Sequence, residues 1–166
     1  MKPLVLADGA LLAVRAIEPD DVDRLERMFH RLSPETVYRR FFSPVQRPPH
    51  KSLERLANVD HDCREALVAL CGDEIVAVAR YDATCGEHEA EIAVTVEDAW
   101  QHRGLGRRLA RRLANEALTH GIDHFVATML PENRAALGLL RNLSPAASVR
   151  FDGGTYAAVA PLEQAS

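Results

Sequence analysis

At Ala66 the hydrophobic rhythm of the chain changes, and this change constrains the fold more than any other feature. Before it, apolar residues recur at helical spacing: Val22, Leu25, Met28, Phe29 and Leu32 mark one buried stripe. Glu18-Pro19-Asp20-Asp21 opens that helix, with proline and acids where a helix start favours them. Ser33-Pro34-Glu35-Thr36 starts a second, with Ser33 as N-cap and Pro34 in the first turn. It carries Val37, Tyr38, Phe41 and Phe42, and stops near Ser43-Pro44. Gln46-Arg47-Pro48-Pro49-His50 reads as a turn-rich connection, and Ser52 to Asn58 as a further short helix.

From Ala66 the pattern is that of strands. Ala66 to Cys71 and Ile75 to Tyr81 are apolar runs split by Gly72-Asp73-Glu74, a hairpin. Glu89 to Val96 is a third strand, with Ala90, Ile92, Val94 and Val96 on one face and Glu91, Ala93 and Thr95 on the other. A long helix follows, with Leu105, Leu109, Leu113 and Ala117 on its apolar side and an end at His120-Gly121. Phe125 to Leu130 is a strand, Asn133 to Asn142 a helix, and Val149 to Phe151 with Thr155 to Leu162 a closing pair of strands. Upstream, apolar runs around Asp8-Gly9 make a hairpin, or a strand preceded by an extended arm. This order predicts an α/β (α+β) fold: a single mixed sheet of about 6–7 strands flanked by about 4 helices.

The 166 residues suit one domain, 1–166, large enough to hold a core without staples. A net charge of −4 argues against a nucleic-acid partner. No stretch approaches the ~20 apolar residues of a membrane span, and Met1 to Ala10 reads as neither signal nor anchor. Cys63, Cys71 and Cys85 form no CxxC pair, which predicts three reduced thiols in a cytoplasmic protein. His61-Asp62-Cys63 sketches half a metal site, but no second ligand cluster accompanies it, so no metal is expected. Oligomeric state is not legible.

The sharpest chemical signal is Gln101-His102-Arg103-Gly104-Leu105-Gly106, between a strand and the long helix. Two glycines let a ligand approach the backbone, and the unpaired N–H groups and positive dipole of the helix start suit a pyrophosphate. The plain alternative is a turn that merely connects strand to helix. A dinucleotide fingerprint would need a glycine where Leu109 stands, and a P-loop would need Gly-Lys-Ser/Thr, which does not occur.

Here the sequence resembles the GNAT acetyltransferases, which carry Gln/Arg-x-x-Gly-x-Gly/Ala after their fourth strand; Gln101 to Gly106 matches every specified position. The order of elements extends the resemblance over nearly the whole chain. It implies acetyl-CoA as co-substrate, held in a core at about residues 88–145. The backbone amides of His102, Arg103, Gly104, Leu105, Gly106 and Arg107 would take the pyrophosphate. Val94, Thr95 and Val96 would hold the pantetheine arm, with Asn133 beside it. A narrower resemblance lies in Ser33-Pro34-Glu35-Thr36-Val37-Tyr38-Arg39-Arg40-Phe41-Phe42, which is similar to a stretch of the bacterial Pat-like protein-lysine acetyltransferases. Val78 to Tyr81, Glu89 to Val94 and Pro131 to Ala135 also match that group. Tyr38, Phe41 and Phe42 are otherwise core residues of a helix.

Glu91 is the candidate catalytic base. A lysine amine of ordinary pKa must lose a proton before attacking a thioester, which costs about 4.6 kcal/mol at pH 7. A placed carboxylate supplies part of this. Glu91 stands in an apolar strand, where an unpaired carboxylate is expensive; the alternative is a structural pair with Arg80 or another cation. The family's usual tyrosine, seven residues after the asparagine, is Leu140 here, and a later Gly-Phe is Ser144-Pro145. Departure of CoA as a free thiolate accommodates that loss, since thiols have pKa values of about 8.5. Arg107, Arg108, Arg111 and Arg112 read as a solvated basic face, with Arg107 near enough to the glycine turn to assist a phosphate. The expected reaction is acetyl transfer to an amine, foremost a protein lysine. A small-amine acetyltransferase and a non-catalytic acyl-CoA sensor are the alternatives.

Overall fold

The structure is a computed structural model that describes residues 1–41 and 48–164. Phe42, the expected helix stop at Ser43-Pro44, and Gln46 and Arg47 of the expected turn lie outside the described residues. Strands β1 (Leu4–Val5) and β2 (Leu11–Ala16) form the opening hairpin. A 3-10 turn, Pro19–Asp21, precedes α1 (Val22–Arg31), α2 (Pro34–Phe41) and α3 (His50–Ala57). Then come β3 (Arg64–Cys71), β4 (Glu74–Ala83), β5 (Glu89–Val96), α4 (Leu105–Thr119) and β6 (His124–Met129). The chain continues through α5 (Arg134–Leu143), β7 (Ser148–Asp152) and β8 (Thr155–Pro161).

The described residues form one eight-stranded sheet, β1-β2-β3-β4-β5-β6-β8-β7, antiparallel except for the β5–β6 pair. Eight strands and five helices exceed the expected 6–7 and 4. The excess comes from short elements: a two-residue β1, and the helices α2 and α3 of eight residues each. Local propensity alone makes such lengths marginal; packing sustains them. One side of the sheet is covered by α1, α2 and α3, which bury Leu25, Met28, Val37 and Leu53 against Ala66, Val68 and Val78. On the other side α4 buries Leu105, Leu109 and Leu113 against Ala79, Tyr81 and Phe125, with α5 adding Leu140. Each such leucine contributes about 1.5–3 kcal/mol relative to exposure.

The helix ends obey the expected chemistry. Ser33 Oγ accepts the Thr36 N–H at 3.1 Å, capping α2. Beyond α4, Gly121 takes φ +78°, and the Ile122 N–H returns to the Ala117 carbonyl.

The cysteines require a correction. Cys63 and Cys85, expected as free thiols, form a disulfide, while Cys71 is free and exposed. The antiparallel β3–β4 register, which pairs Arg64 with Asp82, brings the residue before β3 beside the turn after β4. Spacing along the sequence carries no trace of this. Asp60 joins the two sulfurs in one cluster, but a disulfide leaves no thiolate to ligate a metal. Among the described residues, no helix is long and apolar enough to cross a membrane.

Candidate active site

The parallel pair β5–β6 is joined at Glu89↔His124, Ala90↔Phe125 and Glu91↔Val126, whereas β5 pairs with β4 along seven residues, from Ala90 to Val96. Past Glu91 the two parallel strands part, and a cavity of about 560 Å³ opens between them, within the usual size of a small-molecule site. Val94, Thr95 and Val96 line it from β5, Ala127, Thr128 and Met129 from β6, and Leu139 and Leu140 from α5. Thr95 is buried and Val94 and Val96 half-buried, so strict strand alternation ends where the sheet opens.

The glycine turn closes one end. Gln101, His102, Gly104, Leu105, Gly106 and Arg107 all line the cavity. Gly104 is the N-cap of α4 at φ +78°, without a side-chain cap, so the first helical N–H groups keep their usual lack of intrahelical partners. His102 also takes positive φ, +60°. A Cβ on Gly106 would meet Val94, Val96 and Leu139 at 3.5–3.6 Å, ordinary contact distances. Glycine there leaves room rather than averting a clash. Gln101 turns inward, donating to the Val96 carbonyl (2.9 Å) and to Thr36 Oγ1 (3.2 Å). Thr36 Oγ1 in turn donates to Asp98, whose other oxygen accepts the Ser33 N–H. Burial pushes the Asp98 carboxyl up, but the bonds from Ser33 and Thr36 outweigh it and hold its pKa below the usual range. These contacts fix the start of α2 to the glycine turn.

Arg103 does not line the cavity. Its guanidinium lies 4.2 Å over the Trp100 ring and pairs with Asp8 at 2.6 Å, leaving its backbone as the part a ligand could use. Nor is the basic run of α4 merely solvated. Arg108 donates to the Val5 carbonyl, Arg112 to those of Lys2 and Pro3, and Arg111 to Asn142. Three of the four arginines thus hold the N-terminal arm and α5, and Arg107 lines the cavity. Asn133 caps α5, its Oδ1 accepting the Ala136 N–H at 3.2 Å, so its amide nitrogen is what remains to offer a ligand. Leu140 is buried in the wall where the resemblance would place a tyrosine.

Glu91 faces this cavity and is exposed, so the expected cost of a carboxylate sealed in an apolar strand does not arise. The alternative pairing with Arg80 is not seen: among the described residues Glu91 has no ion-pair partner, and the acid nearest Arg80 is Asp82, at 3.8 Å. Glu91 lies across from Asp82 and two residues from the Arg80↔Ala93 pair, on the sheet face that α1–α3 cover. Arg80 is 5% exposed and donates one bond, to the Leu56 carbonyl. Burial lowers its guanidinium pKa to about 10. Arg39 and Arg40 of α2 also line the cavity. The sequence offered both within a recognisable stretch but nothing to single them out, because only the packing of α2 on β5 brings them to Glu91.

These features match a known group. The model of the acetyltransferase (GNAT) family matches residues 25–144. The chain belongs to the GNAT acetyltransferase family. It is 31% identical to an acetyltransferase of Pseudomonas aeruginosa over 150 residues, 84% of this chain and 81% of that protein. It is 34% identical to the acetyltransferase Pat of Mycolicibacterium smegmatis over 92% of its own length, but spans 46% of that longer protein. Among solved structures, the GNAT domain of S. lividans Pat superposes with a TM-score of 0.90 at 33% identity, covering 97% of this chain and 96% of that one. The GNAT fold of the present chain follows directly, as does its place beside the GNAT domains of Pat proteins.

Proposed function

We propose that the protein transfers an acetyl group from acetyl-CoA to the side-chain amine of a protein lysine, with Glu91 as the general base. One observation carries this reading: the Glu91 carboxylate and the open start of α4 at Gly104–Gly106 line the same cavity. A base and a phosphate-binding helix start in one chamber are what thioester aminolysis requires. Backbone amides from His102 to Arg107 bind the pyrophosphate, assisted by the Arg107 side chain. Val94 and Val96 flank the pantetheine arm, and Asn133 offers it an amide nitrogen. The lysine ammonium gives up a proton to Glu91, directly or through a water. The neutral nitrogen attacks the thioester carbonyl; the tetrahedral intermediate, its nitrogen now cationic, gives its second proton to water and collapses as the C–S bond breaks and the CoA thiolate departs. Leu140 supplies no acid to that thiolate, which leaves unassisted.

The resemblance of Ser33 to Phe42 to the Pat-like protein-lysine acetyltransferases supports a protein acceptor, and a protein of the same fold from Salmonella typhimurium was solved with acetyl-CoA. Mass-spectrometric mapping after incubation with acetyl-CoA and a panel of lysine peptides and small amines tests the proposal. Acetylated lysines are the expected result. Acetyl-CoA binding without transfer to any amine would favour a sensor.

A further inference from the structure

Among the described residues, Arg40 lines the cavity with Glu91 and has no ion-pair partner. It stands one helical turn beyond Thr36 on α2, so the side chain that ties α2 to the glycine turn and Arg40, which lines the same cavity as Glu91, share a helix face. Its charge feels Glu91 and Asp82, yet among the described residues it makes no ion pair within 4.0 Å. Residues 42–47, Phe-Ser-Pro-Val-Gln-Arg, contain no carboxylate that could serve. Its neighbours are already matched: Arg39 pairs with Glu35 at 2.8 Å, and Asp82 accepts from Arg64 at 2.5 Å. Behind it lies Arg80, a buried guanidinium whose Nε and Nη2 have no hydrogen-bond partner among the described residues. Partial burial draws the Arg40 pKa down, and its guanidinium lies 4.9 Å over the Phe41 ring, which offers it no carboxylate. Glu91 cannot fully neutralise this pair and still accept an amine proton.

We infer that Arg40 binds a carboxylate of the acceptor, next to the amine that Glu91 deprotonates, so that the preferred acceptor is a peptide lysine flanked by aspartate or glutamate. A guanidinium fork fits a carboxylate with two parallel N–H···O bonds, the geometry for which arginine is suited. Tyr38, 42% exposed, and Arg39 extend the same helix as a surface a polypeptide can cover. The inference rests on the protein-lysine reading above and names the acceptor more narrowly.

Two peptides that differ only in having Glu or Gln beside the lysine, assayed for kcat/KM with wild type and Arg40→Gln, test it. Wild type should prefer the acidic peptide by about tenfold or more, and the ratio should fall to near one in Arg40→Gln. Retention of the melting-temperature rise on adding acetyl-CoA shows that the variant is folded. The ratio between peptides is a readout that a purely structural role for Arg40 would not move. Equal use of both peptides by wild type, or a preference surviving in Arg40→Gln, overturns the inference and leaves lysine acetylation standing. Turnover of free α-amino acids alone, lost in Arg40→Gln, supports the carboxylate site and overturns the protein acceptor. No transfer to any amine overturns both.

Discussion

Asp21 and Glu91 are both acids, and burial and partners separate them: Asp21 is buried, Glu91 exposed to the cavity. Asp21 is fully buried and matched: Arg15 bonds it at 2.7 and 2.8 Å, Arg24 at 3.2 Å, and the Glu18 N–H at 2.9 Å. Burial pushes its carboxyl up, but these bonds prevail and hold its pKa below the ordinary value. A depressed folded pKa means stability that is present above about pH 4 and lost as pH falls through the lower, folded value. Asp21→Asn should therefore cost about 2–3 kcal/mol at pH 7. Both arginines stay about a third exposed, which moderates the loss. Thermal melts should show the gap from wild type narrowing toward pH 3; a gap that persists there would contradict the ion-pair account. In the sequence Asp21 reads as a helix-start acid, because its partner Arg15 lies on a strand whose approach is tertiary. That Glu91 opens onto an inner face was legible, since it is the acid set between Ala90 and Ile92 within the apolar run of its strand, while Glu89 stands at the strand's end. Arg40 was not, because charge is common on short helices and its lack of a partner shows only in three dimensions.

At the scale of elements, the glycine turn was legible as the start of α4 because its signal is local: two glycines, a helix start and a preceding strand are contiguous. Gly104 sits at φ +78° with nothing within 4 Å of where a Cβ would stand. Gly104→Val should abolish the melting-temperature rise caused by acetyl-CoA, through backbone strain and bulk at the helix mouth rather than through a clash. A normal rise would remove the pyrophosphate assignment. The disulfide is the opposite case. It depends on which β3 residue faces which β4 residue, and no contiguous pattern encodes that register. Its cysteines are 22 residues apart, so closing that loop contributes about 3 kcal/mol on a chain-entropy estimate. Reduction, or Cys63→Ser, should lower the melting temperature by roughly 6–12 °C. An unchanged value would show that the bond does not constrain the folded protein in solution.

In the molecule as a whole, two layers of helices meet at the opening between β5 and β6. The α4 side presents backbone amides at Gly104–Gly106, and the α2 side presents Thr36, Arg39 and Arg40. The Gln101 amide donating to Thr36 Oγ1, and Thr36 Oγ1 donating in turn to Asp98, join the two. The layer order was legible from the switch of hydrophobic period at Ala66. The opening was not, since β5 and β6 are separated by α4 and their divergence depends on how both pack. On the proposed function, the α4 side would hold the acetyl donor, and Glu91 would activate the amine. The most direct test is the pH dependence of kcat for Glu91→Gln, with acetyl-CoA affinity measured in parallel. The variant should bind acetyl-CoA as wild type does and lose about 10²- to 10³-fold in turnover at neutral pH. Much of that loss should return as rising pH deprotonates the amine without help. Activity and stability falling together at every pH, with no recovery in alkali, would contradict the role of Glu91 as the base.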